Sequence, residues 1–274
     1  MNTGKSIPEV FLGKDCKRMD KRIGAQLYTV RDYMKTIEDF DETCRRIHDI
    51  GYRIVQISGT NLKADEMKTV LDKYQLEVVT THRSFEDFRN NLDEIITYNR
   101  TLGCRLCGIG SMPWGIRANP EEVNQFIKDA DRVAGELKQA GMIFGYHHHS
   151  FEFAKLEGAR IMDRLIQETD PEAFHFIVDT YWLQVGGVNP ADFIAGLGKR
   201  AMAVHLKDLS INPEKDFAQE MAEVGQGNLD WDGILDACQK AGVKWALVEQ
   251  DTCKGDPFDS LKISYEFLRN KGFS

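Results

Sequence analysis

From Arg22 onward the chain alternates short apolar runs with segments whose apolar positions recur every three to four residues, and eight such pairs follow one another. The runs predicted as strands are Ile23–Tyr28, Arg53–Ile57, Glu77–His82, Arg105–Gly110, Met142–His147, His175–Asp179, Ala201–Leu206 and Trp245–Glu249. The predicted helices are Ile37 to Ile50, Ala64 to Tyr74, Asp87 to Leu102, Pro120 to Ala140, Ala159 to Glu168, Pro190 to Leu197, Trp231 to Ala241 and Pro257 to Asn270. Asn119 before Pro120 and Asn189 before Pro190 are helix starts, while Gly51, Gly103, Gly141 and Gly242 are helix stops that turn the chain back into a strand. Strands alternating with helices give a parallel sheet. Eight unbroken units close it into a single α/β domain, a (β/α)8 TIM barrel, in preference to an open doubly wound sheet. No G-x-G-x-x-G follows the first strand, which argues against a dinucleotide site. Met1–Lys21 reads as a short N-terminal extension outside the barrel, and Ser210–Asn228 as an extra-long loop after strand seven.

Composition narrows the function classes. The 274 residues are 42% hydrophobic and 28% charged, the mixture of a globular chain. Lys and Arg number 35 against 43 Asp and Glu, a net charge of −8, which argues against a nucleic-acid partner because phosphate affinity comes from clustered cations. No stretch approaches the roughly 18 apolar residues of a membrane span, and no secretory signal is apparent. Six scattered cysteines read as a reduced, cytoplasmic protein. Cys104 and Cys107 form a C-x-x-C, but in a strand residues three apart point to opposite faces, so a shared metal or redox bond is not expected. Homo-oligomerisation stays open.

In such a barrel the active site forms at the C-terminal ends of the strands. Strand five ends in Tyr146-His147-His148-His149, strand six in Val178-Asp179, strand seven in His205-Leu206-Lys207-Asp208 and strand eight in Val248-Glu249-Gln250-Asp251. Four consecutive strands thus offer His147, Asp179, His205 and Glu249 at one end of one barrel. Nitrogen and oxygen donors in this mixture suit one divalent ion, Mn²⁺, Co²⁺, Fe²⁺ or Zn²⁺. By the period of two, His147 and His149 share one face and His148 the other. Gln56 and His82, at the ends of strands two and three, are candidates to hydrogen-bond a ligand, and Tyr28 and Trp182 to wall it.

The phrases "IGAQLYTVRD" (23–32), "YHHHSFEF" (146–153), "VDTYWLQVGGVNP" (178–190), "VHLKD" (204–208), "EVGQGNLDW" (223–231) and "LVEQD" (247–251) resemble the sugar isomerase/epimerase family with xylose-isomerase-like barrels. The resemblance implies one catalytic metal held at the ends of strands five to eight, with Asp179, His205 and Glu249 matching directly. It also implies an enediolate formed beside a carbonyl of a small sugar, keto-sugar or cyclitol. On strand five this chain has His147 where ketose epimerases carry a glutamate, and the nearest carboxylate is Glu152. Glu249 is then the candidate base, and Glu152, His149 or Lys207 the acid partner. An isomerase or epimerase is expected first. A dehydratase or lyase acting on a keto-sugar, keto-inositol or oxidised glycoside shares the same metal, base and pocket, and a non-catalytic sugar-binding barrel ranks below both. The absence of a strand-end Lys/Arg pair or a Gly-rich phosphate nest points to a non-phosphorylated substrate.

Overall fold

The computed structural model describes residues 19–274; the expected extension falls largely on residues 1–18, outside them. Eight parallel strands close in sequence order: Ile23–Gln26, Ile54–Ile57, Glu77–Arg83, Leu106–Ile109, Ile143–His147, Phe174–Asp179, Ala201–Leu206 and Trp245–Val248, the last pairing with the first. Helices Ile37–Ile50, Ala64–Lys73, Leu92–Leu102, Pro120–Gln139, Ile161–Gln167, Pro190–Leu197, Trp231–Ala241 and Pro257–Asn270 surround them. Their inward stripes and the outward faces of the strands form the main core.

The lumen is filled separately. Ile54, Val79, Leu106, Ile177, Met202, Ala203 and Leu247 make a dry layer inside the barrel. Two residues further along a strand returns to the same face. The step from Ile54 leads to Gln56, from Ile177 to Asp179, from Ala203 to His205 and on to Lys207, and from Leu247 to Glu249, so an apolar plug is capped by a polar floor. Glycines make the floor fit: a Cβ at Gly108 would stand 2.7 Å from the His82 ring and 2.9 Å from Ile177, leaving no room for a side chain.

Several boundaries differ from those read in the sequence. Strand one stops at Gln26 because the backbone turns into a 3-10 helix, Leu27–Tyr33, where the Tyr28 N–H donates to Gln26 Oε1 at 3.2 Å. The helix expected from Asp87 is split at Asn91, whose φ of −134° is not helical, into Phe85–Asn90 and Leu92–Leu102. Ala159 and Arg160 pair with Lys155–Leu156 as a small hairpin instead of starting a helix. The long loop after strand seven contains an antiparallel hairpin, Asp208–Asn212 with Ala218–Ala222, that stands over the mouth. All five described cysteines are unpaired thiols, Cys104 and Cys107 included. Among the described residues no helix is long and apolar enough to cross a membrane.

Candidate metal centre and cavity

His147, Asp179, His205 and Glu249 are all buried, and one ligand atom from each lies within 4.8 Å of the others. Their surroundings orient them. The His147 Nδ1–H donates to the Gly110 carbonyl at 2.8 Å, leaving Nε2 towards Asp179 Oδ2 at 3.4 Å. The His205 Nε2–H donates to Gln56 Oε1 at 2.8 Å, which fixes the tautomer with a lone pair on Nδ1. Asp179 Oδ1 accepts from the Trp182 N–H at 2.9 Å as the cap of helix Thr180–Val185, so Oδ2 is the oxygen turned to the centre.

Two atoms at this centre are orphans. His205 Nδ1 and Glu249 Oε2 are 2.9 Å apart and buried, yet neither has an aligned hydrogen bond. Buried acceptors are almost always satisfied, and a pair pointing at one spot suits a cation between them. The residues present therefore fit a divalent ion; which ion is a question of chemistry and supply.

Lys207 is the charge already there. Its buried Nζ is 3.0 Å from Asp179 Oδ2, 3.0 Å from Glu249 Oε2 and 3.2 Å from both oxygens of Asp251. Burial opposes the ammonium, but the three carboxylates outweigh it and hold its pKa above the usual lysine range. In return burial is overridden at Asp179 and Glu249, whose carboxyls are held well below the usual range, chiefly by Lys207. Burial wins at Asp251, whose carboxyl is pushed up.

A cavity of about 410 Å³ opens above the centre, lined by Tyr28, Arg31, Ser58, His82, Ser111, His147, His149, Lys207, Glu249 and Asp251 among others. Of the residues expected to contact a ligand, His82, His149 and Tyr28 reach it. The buried His82 Nε2 and His149 Nδ1 have no partner, and burial depresses both imidazoles, His149 to about 2, so each presents a neutral ring. Gln56 is brought behind His205, and Trp182 stands 5.1 Å from the His149 ring, backing it. Glu152 is not brought to the cavity. It is fully buried, and its two oxygens accept from the Tyr146 O–H at 2.7 Å and the His149 N–H at 2.9 Å, so it shapes the turn that carries His149. Asp251 was not singled out in the sequence; its only signal there was a second carboxylate two residues beyond Glu249, on the same face.

A family model described as "Xylose isomerase-like TIM barrel" matches residues 44–271. The chain belongs to this family. An inosose dehydratase of Geobacillus kaustophilus (strain HTA426) is 26% identical over 269 residues, covering 83% of this chain and 86% of that protein. An inosose dehydratase of Lacticaseibacillus casei is 27% identical over 163 residues, and this match spans 54% of each chain, about half. Among solved structures, a sugar phosphate isomerase/epimerase from Parabacteroides distasonis ATCC 8503 superposes with a TM-score of 0.74 over 98% of both chains at 19% identity, a likeness of fold. The protein is an enzyme of a sugar-modifying family.

Proposed function

We propose that the protein is a divalent-metal-dependent dehydratase acting on a keto-cyclitol or keto-sugar. The observation that carries this reading is the distribution of carboxylates. Epimerisation by proton removal and return needs a second base across the substrate, yet strand five supplies His147 and the nearby Glu152 is committed to Tyr146 and His149. The carboxylates that do face the cavity, Glu249 and Asp251, both belong to the end of strand eight. The similarity to inosose dehydratases over most of the chain supports the same choice.

His147, Asp179, His205 and Glu249 would hold the ion, which when bound would supply Lewis acidity for a carbonyl substrate. Glu249 takes the α-proton on its second oxygen, Oε1. Lys207 Nζ donates to the oxyanion that develops, in a pocket where water is scarce and the charge counts for more. Asp251, whose pKa is raised by burial, hands a proton to the departing β-hydroxyl, which leaves as water. His82 and His149, as neutral imidazoles, hydrogen-bond hydroxyls that stay.

The test is the Mn²⁺-loaded protein incubated with an inosose in D₂O and followed by mass spectrometry. A product lighter by one water is expected. A deuterated product of unchanged composition would make the enzyme an isomerase or epimerase, and neither product with any keto-cyclitol or keto-sugar would sink the enzymatic reading.

A further inference from the structure

Arg31 lines the same cavity as the candidate ligands, yet no step at them needs it. Its guanidinium lies 4.4 Å from the centre of the Tyr28 ring, Nη1 donates to the Tyr28 carbonyl at 2.9 Å, and Nη2 donates to the Asp251 carbonyl at 3.1 Å, across 220 residues of chain. The loop after strand two yields to this stack: Gly59 has φ +72°, and a Cβ there would stand 2.9 Å from the Tyr28 ring and 3.3 Å from Arg31 Cβ. The side chain is therefore held in one place before any ligand arrives. Two of its five N–H groups are used, both on neutral backbone oxygens.

Its charge has no counterpart. Among the described residues no carboxylate side chain approaches Arg31 within 4.0 Å, in a chain with an excess of acid. Lys207 by contrast is surrounded by three carboxylates. Arg31 is thus the cation of this cavity that the described residues leave without a carboxylate beside it.

We infer that the substrate carries a carboxylate, docked on Arg31 at the rim while its carbonyl end faces the centre below. A planar guanidinium with unused donors matches a planar monoanion. A phosphate dianion would call for further cations or a nest of backbone N–H groups, and the cavity's other cation, Lys207, is already held among three carboxylates. This rests on the proposed reading, since it takes the cavity as the substrate site, and narrows it: among keto-sugars it selects a keto-sugar acid as the preferred substrate over a neutral inosose.

The experiment uses one carbon skeleton with three groups at C6: fructose, fructuronate and fructose 6-phosphate. Each is titrated calorimetrically into Mn²⁺-loaded wild type, Arg31→Gln and Arg31→Lys. Fructuronate is expected to bind wild type about ten- to a hundredfold more tightly than fructose, as a charge-assisted pair does. Arg31→Gln should abolish the preference, and Arg31→Lys should keep part of it. Equal affinities, or no binding of fructuronate, would overturn the inference in wild type alone, whatever the variants do to folding. Stronger binding of the phosphate than of the carboxylate would overturn it too. Deuterium exchange in the same samples separates the two readings: an Arg31-dependent preference without exchange leaves the carboxylate site standing and counts against the enediolate.

Discussion

Two buried carboxylates stand at the mouth of the barrel one strand apart, and they are treated in opposite ways. Asp208, past strand seven, accepts from the N–H groups of Leu209, Gly225, Gly227 and Leu229 and from the Trp231 indole N–H at 2.6 Å. Every lone pair has a donor, and the segment from Gly225 to Trp231 is wrapped round it. Gly227 approaches so closely that a Cβ would strike the Asp208 carboxylate. Glu249, past strand eight, is also buried, yet its Oε2 faces an imidazole lone pair and an ammonium without an aligned hydrogen bond. Burial alone does not mark a functional carboxylate. What marks it is a hydrogen-bonding capacity that the fold has left unspent.

The contrast is broken most severely by removing the ligands. Asp179→Ala combined with His205→Ala should take bound metal from about one per chain to none, with activity at background, while the barrel persists at reduced stability, because the double change gives up the cap of helix Thr180–Val185 and the bond to Gln56 but leaves the apolar core untouched. Elemental analysis and circular dichroism check both halves; retention of metal would sink the four-residue centre. Next comes Glu249→Gln, expected to lower kcat/KM about a thousandfold, the scale of a lost general base. It should leave thermal stability near wild type; a small kinetic effect would assign the base elsewhere.

Asp208→Asn sharpens the comparison from the other side. An amide can keep one accepting oxygen, but its NH₂ would then face donors from Gly225, Gly227 and Trp231. A loss on the order of 3 kcal/mol in urea unfolding is expected, with metal stoichiometry unchanged. An unaffected midpoint would remove Asp208 from its role as the anchor of this loop.

The same contrast explains what could be read along the chain. The barrel was legible because a strand pointing two residues apart to one face repeats eight times, and because glycines such as Gly103, φ +74°, and Gly242, φ +79°, mark the returns. The four residues of the centre were legible for the same reason: Asp179, His205 and Glu249 are one period beyond the lumen residues Ile177, Ala203 and Leu247, and His147 is one period beyond Gly145, where a Cβ would meet Ile177 and Leu106. Partners set by closure of the ring were not: Gln56 reaches His205 across 149 residues, and Arg31 reaches Asp251 across 220. Nor was the fate of Glu152, because the turn after strand five decides which way it faces, and nothing in the residue types alone says that Tyr146 folds back to it.

Glu152 lies between the two extremes, and its effect, at most as large as that of Asp208, appears only as the pH rises. It has two donors where Asp208 has five, and burial pushes its carboxyl from 4.5 up to about 7 despite them. The folded state therefore binds a proton more tightly than the unfolded chain. Its contribution is complete below pH 4.5 and is lost as the pH rises through about 7, because the unfolded chain ionises first. Glu152→Gln cannot ionise but still offers an oxygen to one of the two donors. Relative to wild type it should gain on the order of 3 kcal/mol between pH 4.5 and pH 8, an upper figure from the shift at about 1.4 kcal/mol per unit. Urea unfolding of chelator-treated wild type and variant at intervals across that range isolates the difference, since every other titrating group is common to both. A gap that does not change with pH would mean that the two donors suffice to keep Glu152 ionised, and would place it with Asp208 as a fully satisfied anchor.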